Sequence, residues 1–313
     1  MRGARGAERR QRAREPSVLS AARAECLGRV ALGLEHDRET AALNGAILLG
    51  ERSRLPRRLK RVFVGSGSLH LFAISGLHVL AVARVLSFLL ALCLVPRRLA
   101  GAASVPVLWG YVFLIGASPS AVRAASMATI GALAPVFYRR PSGIRAWALT
   151  FLAVHLLRPL QIVEVGSALS FAVMLALVAA AEYGPRWRGW RALAGMTVVA
   201  WAAGAPIAAH AFGSVAPGGL LANLALVTAA EWVVMTGFAG LVASFLSETL
   251  AVHLNNLSAL LTRLMVGVAD AVSRLPGAFL PVAPWSLLQC AEWYAAIALA
   301  VWLLRRIRSR RAW

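Results

Sequence analysis

The chain has 313 residues, of which 59% are hydrophobic and 15% charged, too apolar a composition for an ordinary soluble domain. Its 33 Lys and Arg against 13 Asp and Glu leave a formal net charge of +20, and Lys60 is the only lysine. A positive charge that is almost all guanidinium suits phosphate and anionic lipid, and it equally suits basic loops that fix membrane topology.

In chain order, residues 1–61 stand apart. They are dense in arginine (Arg2, Arg5, Arg9, Arg10, Arg12, Arg14) and hold only short apolar pieces such as 41–49. The basic start is not followed by the apolar core and small-residue site of a cleavable signal peptide.

After Arg61, apolar blocks follow one another at about 68–95, 102–117, 122–138, 144–157, 160–181, 192–211, 219–246, 257–275 and 286–304. A bilayer crossing needs about 20 apolar residues. The block at 144–157 is short, and 102–117 and 257–275 also fit interfacial or re-entrant segments. The fold class expected is an all-α polytopic transmembrane bundle of about six to nine spans, occupying 62–304 and followed by a basic cytoplasmic tail at 305–313.

The loops support that arrangement, because short Arg-rich loops stay on the cytoplasmic side. Arg97 and Arg98, then Arg139, Arg140 and Arg145, then Arg186, Arg188 and Arg191, and finally 305–311 fall on alternate connections. Continuing backwards places 1–61 outside, against its arginine count. An upstream segment that carries the N-terminus across, or a re-entrant first block, reconciles the two.

The segment 70–78 is the most informative. It sets His70, Ser75, Gly76 and His78 at the entrance of a long apolar run, where an unpaired polar group costs several kcal/mol, roughly, and so faces the protein interior or a wet path. A continuous helix would put Ser75 and His78 on one face with His70 nearly above, and Gly76 would allow close approach of a neighbouring helix. Three readings compete for Ser75 and His78: a structural hydrogen bond, a channel lining, and a serine nucleophile with a histidine base. No orienting carboxylate or oxyanion donor can be assigned to the last. Farther along, Arg123 stands at the head of an apolar block, where it fits a phosphate contact or a guanidinium snorkelling to the interface. Glu164, Glu231, Asp270 and Glu292 lie in or near apolar blocks and are expected to pair with Arg or His. Gln161 and Asn223 fit interhelical hydrogen-bonding groups, and His210 fits a satisfied core histidine. Cys26, Cys93 and Cys290 are too scattered for a metal or disulfide set and read as packing residues.

The nonapeptide 70–78 resembles the signature of the ComEC-type competence proteins. Residues 116–124 (Gly-Ala-Ser-Pro-Ser-Ala-Val-Arg-Ala) resemble the family's G-x-S-P-S-x-x-R-A element. Arg158, Pro159, Leu160 and Gln161, with Val165, Gly166 and 169–172, resemble its D-P-L-x-L-x-x-x-G-F-Q-L-S-F run. The stretch 212–215 followed by 220–224 resembles its F-x-x-x-S-x-x-x-x-x-x-N-L region. Arg158 stands where aspartate is usual, and Ala168 where glutamine is frequent.

This resemblance implies a central membrane domain that passes single-stranded DNA across the bacterial cytoplasmic (inner) membrane in natural transformation. Its path candidates are His70, Ser75, Gly76, His78, Ser118, Ser120, Arg123 and Asn223. It implies as partners, besides the DNA strand and the lipid bilayer, separate nuclease, OB-like and ATP-driven motor proteins, and a homo-oligomer is also compatible. No H-x-H-x-D-H cluster and no G-x-x-x-x-G-K-[ST] loop is present, so neither enzymatic activity, metal nor cofactor is expected. The alternatives are a small-solute transporter and a truncated remnant that conducts nothing.

Overall fold

The computed structural model describes residues 17–72 and 76–310. These form twelve α-helices: α1 (Ser17–Val30), α2 (Arg38–Leu49), α3 (Arg57–Gly65), α4 (Gly76–Leu92), α5 (Arg97–Leu114), α6 (Pro119–Leu133), α7 (Gly143–Leu157), α8 (Val165–Tyr183), α9 (Trp190–Phe212), α10 (Gly218–Ala243), α11 (Glu248–Ser273) and α12 (Leu287–Arg310). Short 3₁₀ turns at Leu69–Phe72 and Pro159–Val163 precede α4 and α8. Two-residue strands, β1 (Ser214–Val215) and β2 (Leu280–Pro281), pair antiparallel and tie the loop after α9 to the loop after α11. The fold is an all-α membrane bundle, as the nine apolar blocks require.

Three helices, α8, α9 and α10, are long and apolar enough to cross a bilayer by length and composition. Shorter apolar stretches lie at Gly76–Leu92, Leu99–Leu114, Gly143–Leu157 and Leu287–Leu303. Only 11% of the most apolar window of α8 is buried in the protein, against 44% for α10. An outward face that carries Leu149, Leu152, Leu156 and Leu175 would be a severe liability in water, and it is the expected surface toward lipid. The block expected at 257–275 begins earlier, at Glu248, where Ser247 caps α11 by accepting from the Leu250 N–H. Cys93 departs from the packing role expected of it, being exposed.

The centre of the bundle is the antiparallel pair α10 and α11, with α2, α3 and α4 laid against it. Helix α2 sinks Leu43, Ala46, Ile47, Leu48 and Leu49 into the same core as Val79 and Val82 of α4 and Leu226, Val233 and Val234 of α10. Burying side chains of this size contributes about 1.5–3 kcal/mol each, before chain entropy is charged against it. The end of α2 is closed by two devices. Gly50 adopts φ +68° and donates to the Ala46 carbonyl, and the Tyr111 hydroxyl of α5 reaches across to the Leu48 carbonyl at 2.7 Å.

Its start is closed by Asp37, whose Oδ1 accepts from the Thr40 N–H at 3.0 Å, while Oδ2 accepts from the Thr40 hydroxyl and from Arg263 of α11. The Thr40 N–H first, then its hydroxyl and Arg263, hold the Asp37 carboxyl below its ordinary value. A lowered native value means that Asp37 contributes stability above its unfolded pKa of about 3.9 and loses that contribution as pH falls through the lower native value. Asp37→Asn keeps an oxygen to cap Thr40 but loses the charged acceptor of the Thr40 hydroxyl and Arg263, and is expected to cost about 1 kcal/mol at pH 7. Its deficit relative to the parent should shrink below about pH 4, where the parent loses its charge. Thermal unfolding of both proteins in detergent between pH 3 and pH 7 measures this, and a deficit that stays constant with pH would refute it.

Candidate functional site

The signature does not form the single helix expected from its pattern. His70 lies on the 3₁₀ turn, His78 is the third residue of α4, and Ser75 falls outside the described residues. The cause is upstream. Gly67 takes φ +73°, and a Cβ there would lie 2.7 Å from Ala216 Cβ and 3.1 Å from the Gly219 nitrogen, so only glycine lets the loop approach the start of α10. The buried hydroxyls of Ser66 and Ser68 share a hydrogen bond of 2.5 Å, and the Ser68 N–H donates to the Phe63 carbonyl, which ends α3. The segment that follows, Leu69–Phe72, is a 3₁₀ turn, so His70 lies off the helix that carries His78. His70 is exposed and His78 fully buried, so the two histidines occupy different environments.

Gly76 fulfils its expected role. It faces α6 and α8, where an added Cβ would stand 3.6 Å from Ala124 Cβ and 4.0 Å from Met174 Sδ, ordinary contact distances. This joins the first resembling element to the second and to α8, the helix that carries the end of the third. The second begins at a tight corner: Gly116 at φ +83° and Ala117 at φ +45° close α5, and the Ala117 N–H donates to the Val112 carbonyl at 2.8 Å. Pro119 opens α6, with Ser118 at its N-cap. The hydroxyls of Ser118 and Ser120 lie 3.4 Å apart, both half-buried.

Arg123 does not snorkel. It is 5% exposed, with Nε donating to the Ser170 hydroxyl at 3.1 Å and Nη2 to the Gly166 carbonyl at 3.2 Å, and its guanidinium lies over the Phe171 ring at 5.4 Å. Ser170, Gly166 and Phe171 belong to the third resembling element, so α6 and α8 are locked together by residues that the resemblance brought forward separately. Their partnership with Arg123 was not foreseen. The available signal was a charged residue in one apolar block and a serine beside glycine-containing turns in the next. Phe171 in turn is clasped by Phe151 and His155 of α7, and its carbonyl accepts from Trp147 Nε1 at 2.9 Å.

Between α4, α5, α6, α7 and α8 lies a cavity of about 450 Å³. Small residues form much of its wall, among them Gly76, Gly101, Ala124, Ala128 and Gly131. Asn223 lies elsewhere, near the start of α10, half-buried with its side-chain oxygen unbonded, and Gln161 likewise keeps its oxygen unbonded. Neither makes the interhelical bond expected of it through that atom. The acidic residues follow expectation where they pair: Glu231 with Arg84 across α10 and α4, and Asp270 with Arg274 one turn on. His210, expected in the core, is exposed, and its Nδ1–H donates to the Trp285 carbonyl at 2.6 Å.

These contacts set a graded steric test at Gly76. Gly76→Ala makes only ordinary contacts and is expected to change stability by less than about 1 kcal/mol, whereas Gly76→Leu forces α4 away from α6 and α8 and costs about 1–3 kcal/mol. Folded yield and thermal unfolding in detergent measure both; a tolerated leucine would show that the three helices are not held in contact here.

Comparison with known proteins agrees with this convergence of elements. The chain is 31% identical over 133 residues to the ComE operon protein 3 of Bacillus subtilis (strain 168), which covers 42% of this chain and 17% of that protein. It is 37% identical over 106 residues to an uncharacterized protein of Aquifex aeolicus (strain VF5), covering 33% of this chain and 24% of that one. The matches thus span less than a quarter of either relative's length. No solved structure matches the chain. The model of the Competence protein family matches residues 47–307, which is most of the chain, and the protein belongs to that family.

Proposed function

We propose that this membrane-embedded competence protein passes single-stranded DNA across the bacterial cytoplasmic membrane, with its apolar helices as multiple spans and the Arg-rich loops on the inner side. The observation that carries this reading is the meeting of three resembling elements: Gly76 and Ala124 line one cavity together with Met174 of α8, and Arg123, next to Ala124, bonds Ser170 of the third element. Glycine and alanine at these contacts let the helix backbones approach closely and leave little side-chain volume in the seam between them. A strand of phosphates needs such a seam to open, and it needs fixed cations to replace its counterions.

The chain supplies the membrane part of the task. Cleavage of the incoming duplex, capture outside the membrane and ATP-driven pulling fall to separate nuclease, OB-like and motor proteins on this reading. A small-solute transporter is the second reading, favoured by the cavity's volume, which is in the range of small-molecule sites.

Labelled DNA uptake tests the proposal in a competent host whose own channel gene lacks only the membrane domain, with this chain expressed in its place. Uptake is expected to return. His78→Ala and His70→Ala are expected to lower it several-fold while the amount of protein in the membrane stays unchanged. Normal membrane insertion with no uptake, or full uptake with both histidines replaced, would count against the channel reading and against the histidines' part in it, respectively.

A further inference from the structure

The lock between α6 and α8 leaves a charge unanswered. Arg123 is 5% exposed, and no ion pair to it occurs among the described residues, the exposed Glu164 carboxylate acting on it only through its field. Its Nε and Nη2 hold neutral oxygens, and its Nη1 holds nothing. Arginine cannot shed its proton to escape the cost of burial, so a guanidinium in this position calls for an anion.

Three more unbonded polar atoms lie on the elements that meet at Arg123. Thr150 of α7 is 1% exposed and Ser167 of α8 is 1% exposed, each with a hydroxyl lacking a partner; Gln161, on the 3₁₀ turn that joins those helices, is 8% exposed with its side-chain oxygen unbonded. Ser167 directly follows Gly166, whose carbonyl Arg123 holds. Thr150 lies between Trp147 and Phe151, both packed against Phe171, the ring beneath the guanidinium. Native proteins leave few buried polar atoms unpaired, so four on adjoining elements mark a site for something else.

Water would satisfy the hydroxyls but would not neutralise the cation. An oxyanion does both. Two hydroxyls and Nη1 are donors, and the amide of Gln161 becomes one if its oxygen and nitrogen exchange places, an assignment that hydrogen-bonding partners decide. Ser167 also lies in the first turn of α8, where the helix favours negative charge. One guanidinium balances one negative charge, and the field of the nearby Glu164 carboxylate, exposed at the N-cap of α8, opposes a second.

We propose that Arg123, Thr150, Gln161 and Ser167 form a binding site for a single phosphodiester monoanion, a holding point for one phosphate of the passing strand. The assignment of the anion to a strand rests on the channel reading; the anion site itself does not. The bonds to Ser170 and Gly166 hold the arginine fork in place, and Nη1 with the two hydroxyls takes the non-bridging oxygens. A strand held one phosphate at a time advances in steps, each step exchanging one phosphodiester for the next.

The test uses the full chain in phosphatidylcholine nanodiscs, with dimethyl phosphate as the probe at constant ionic strength. Thermal unfolding of the parent is expected to rise by several degrees on saturation and to remain unmoved by equivalent chloride. Thr150→Val and Ser167→Ala are each expected to weaken the apparent affinity roughly tenfold, as loss of a hydrogen bond to a charged group does. Arg123→Gln should abolish it, and if that variant fails to fold, the two hydroxyl variants carry the test. A short oligonucleotide that reproduces the effect supports the strand assignment. No response to either probe would overturn the site. A response only to phosphatidylglycerol in the disc would overturn the strand assignment in favour of lipid. A positive probe response in a chain that restores no uptake would keep the site and remove the channel reading.

Discussion

Asn255, Ser258 and Thr262 lie on one face of α11, spaced by three and four residues, and on that face much of the bundle depends. Asn255 Nδ2 donates to the carbonyls of Arg29 and Leu32 at the end of α1, Ser258 to the Val233 carbonyl of α10, and Thr262 to the Asn44 side chain of α2. In an apolar solvent the hydrophobic effect does not choose between lipid and protein neighbours, so helix association needs close packing and polar pairing. One helix here supplies a polar contact to each of three others. The carbonyls at the end of α1 are among those that every helix leaves without an internal partner, and Asn255 meets that need while fixing where α1 sits.

Close packing makes those bonds geometrically possible. A Cβ on Gly240 would stand 2.6 Å from Asn255 Oδ1, and a side chain on Gly237 would collide with Leu48 of α2. Glycine on α10 therefore lets α2 and α11 come near enough for their polar groups to meet their targets. The same logic governs the other side of the bundle, where Gly76 and Ala124 bring α4 and α6 together. There the interface encloses a cavity instead of a filled core. The difference is one of side-chain volume: α2 presents Leu48 to its glycine, while α6 presents mainly glycine and alanine to the cavity.

Periodicity and charge revealed the elements more fully than their company. Every apolar block became a helix, because runs of this length in a chain this apolar have no other economical way to satisfy their backbone. Where a polar or glycine-rich corner interrupts a block, the pattern was silent: Gly67 and the Ser66–Ser68 bond break 68–95 into a 3₁₀ turn and α4, a consequence of the distant Gly219 backbone. The arginine-rich composition of 1–61 likewise concealed α2, whose apolar run is short and whose burial comes from helices about 200 residues later. For the site, Gly76 was legible from its residue type alone. Arg123 was legible as a special residue but not as a buried one, since its partners lie 43 and 47 residues on, beyond any local pattern. His70 and His78 were read as one stripe, and they fall on separate elements, one outside and one within.

The arginines separate into two populations, and the separation is the physical link between fold and function. Those at the connection between α6 and α7, Arg139, Arg140 and, at the start of α7, Arg145, are exposed and keep their hydration at little energetic cost. Arg84 lies within the apolar helix α4 and has Glu231 as its partner, so its charge is answered inside the chain. Arg123 alone among these is buried with hydrogen bonds only to neutral oxygens, the exposed Glu164 carboxylate acting on it through its field and not through an ion pair. A medium that punishes unpaired charge so heavily enforces the fold wherever pairing is complete. Where pairing is left incomplete, as between α6, α7 and α8, the same penalty becomes affinity for whatever anion can enter.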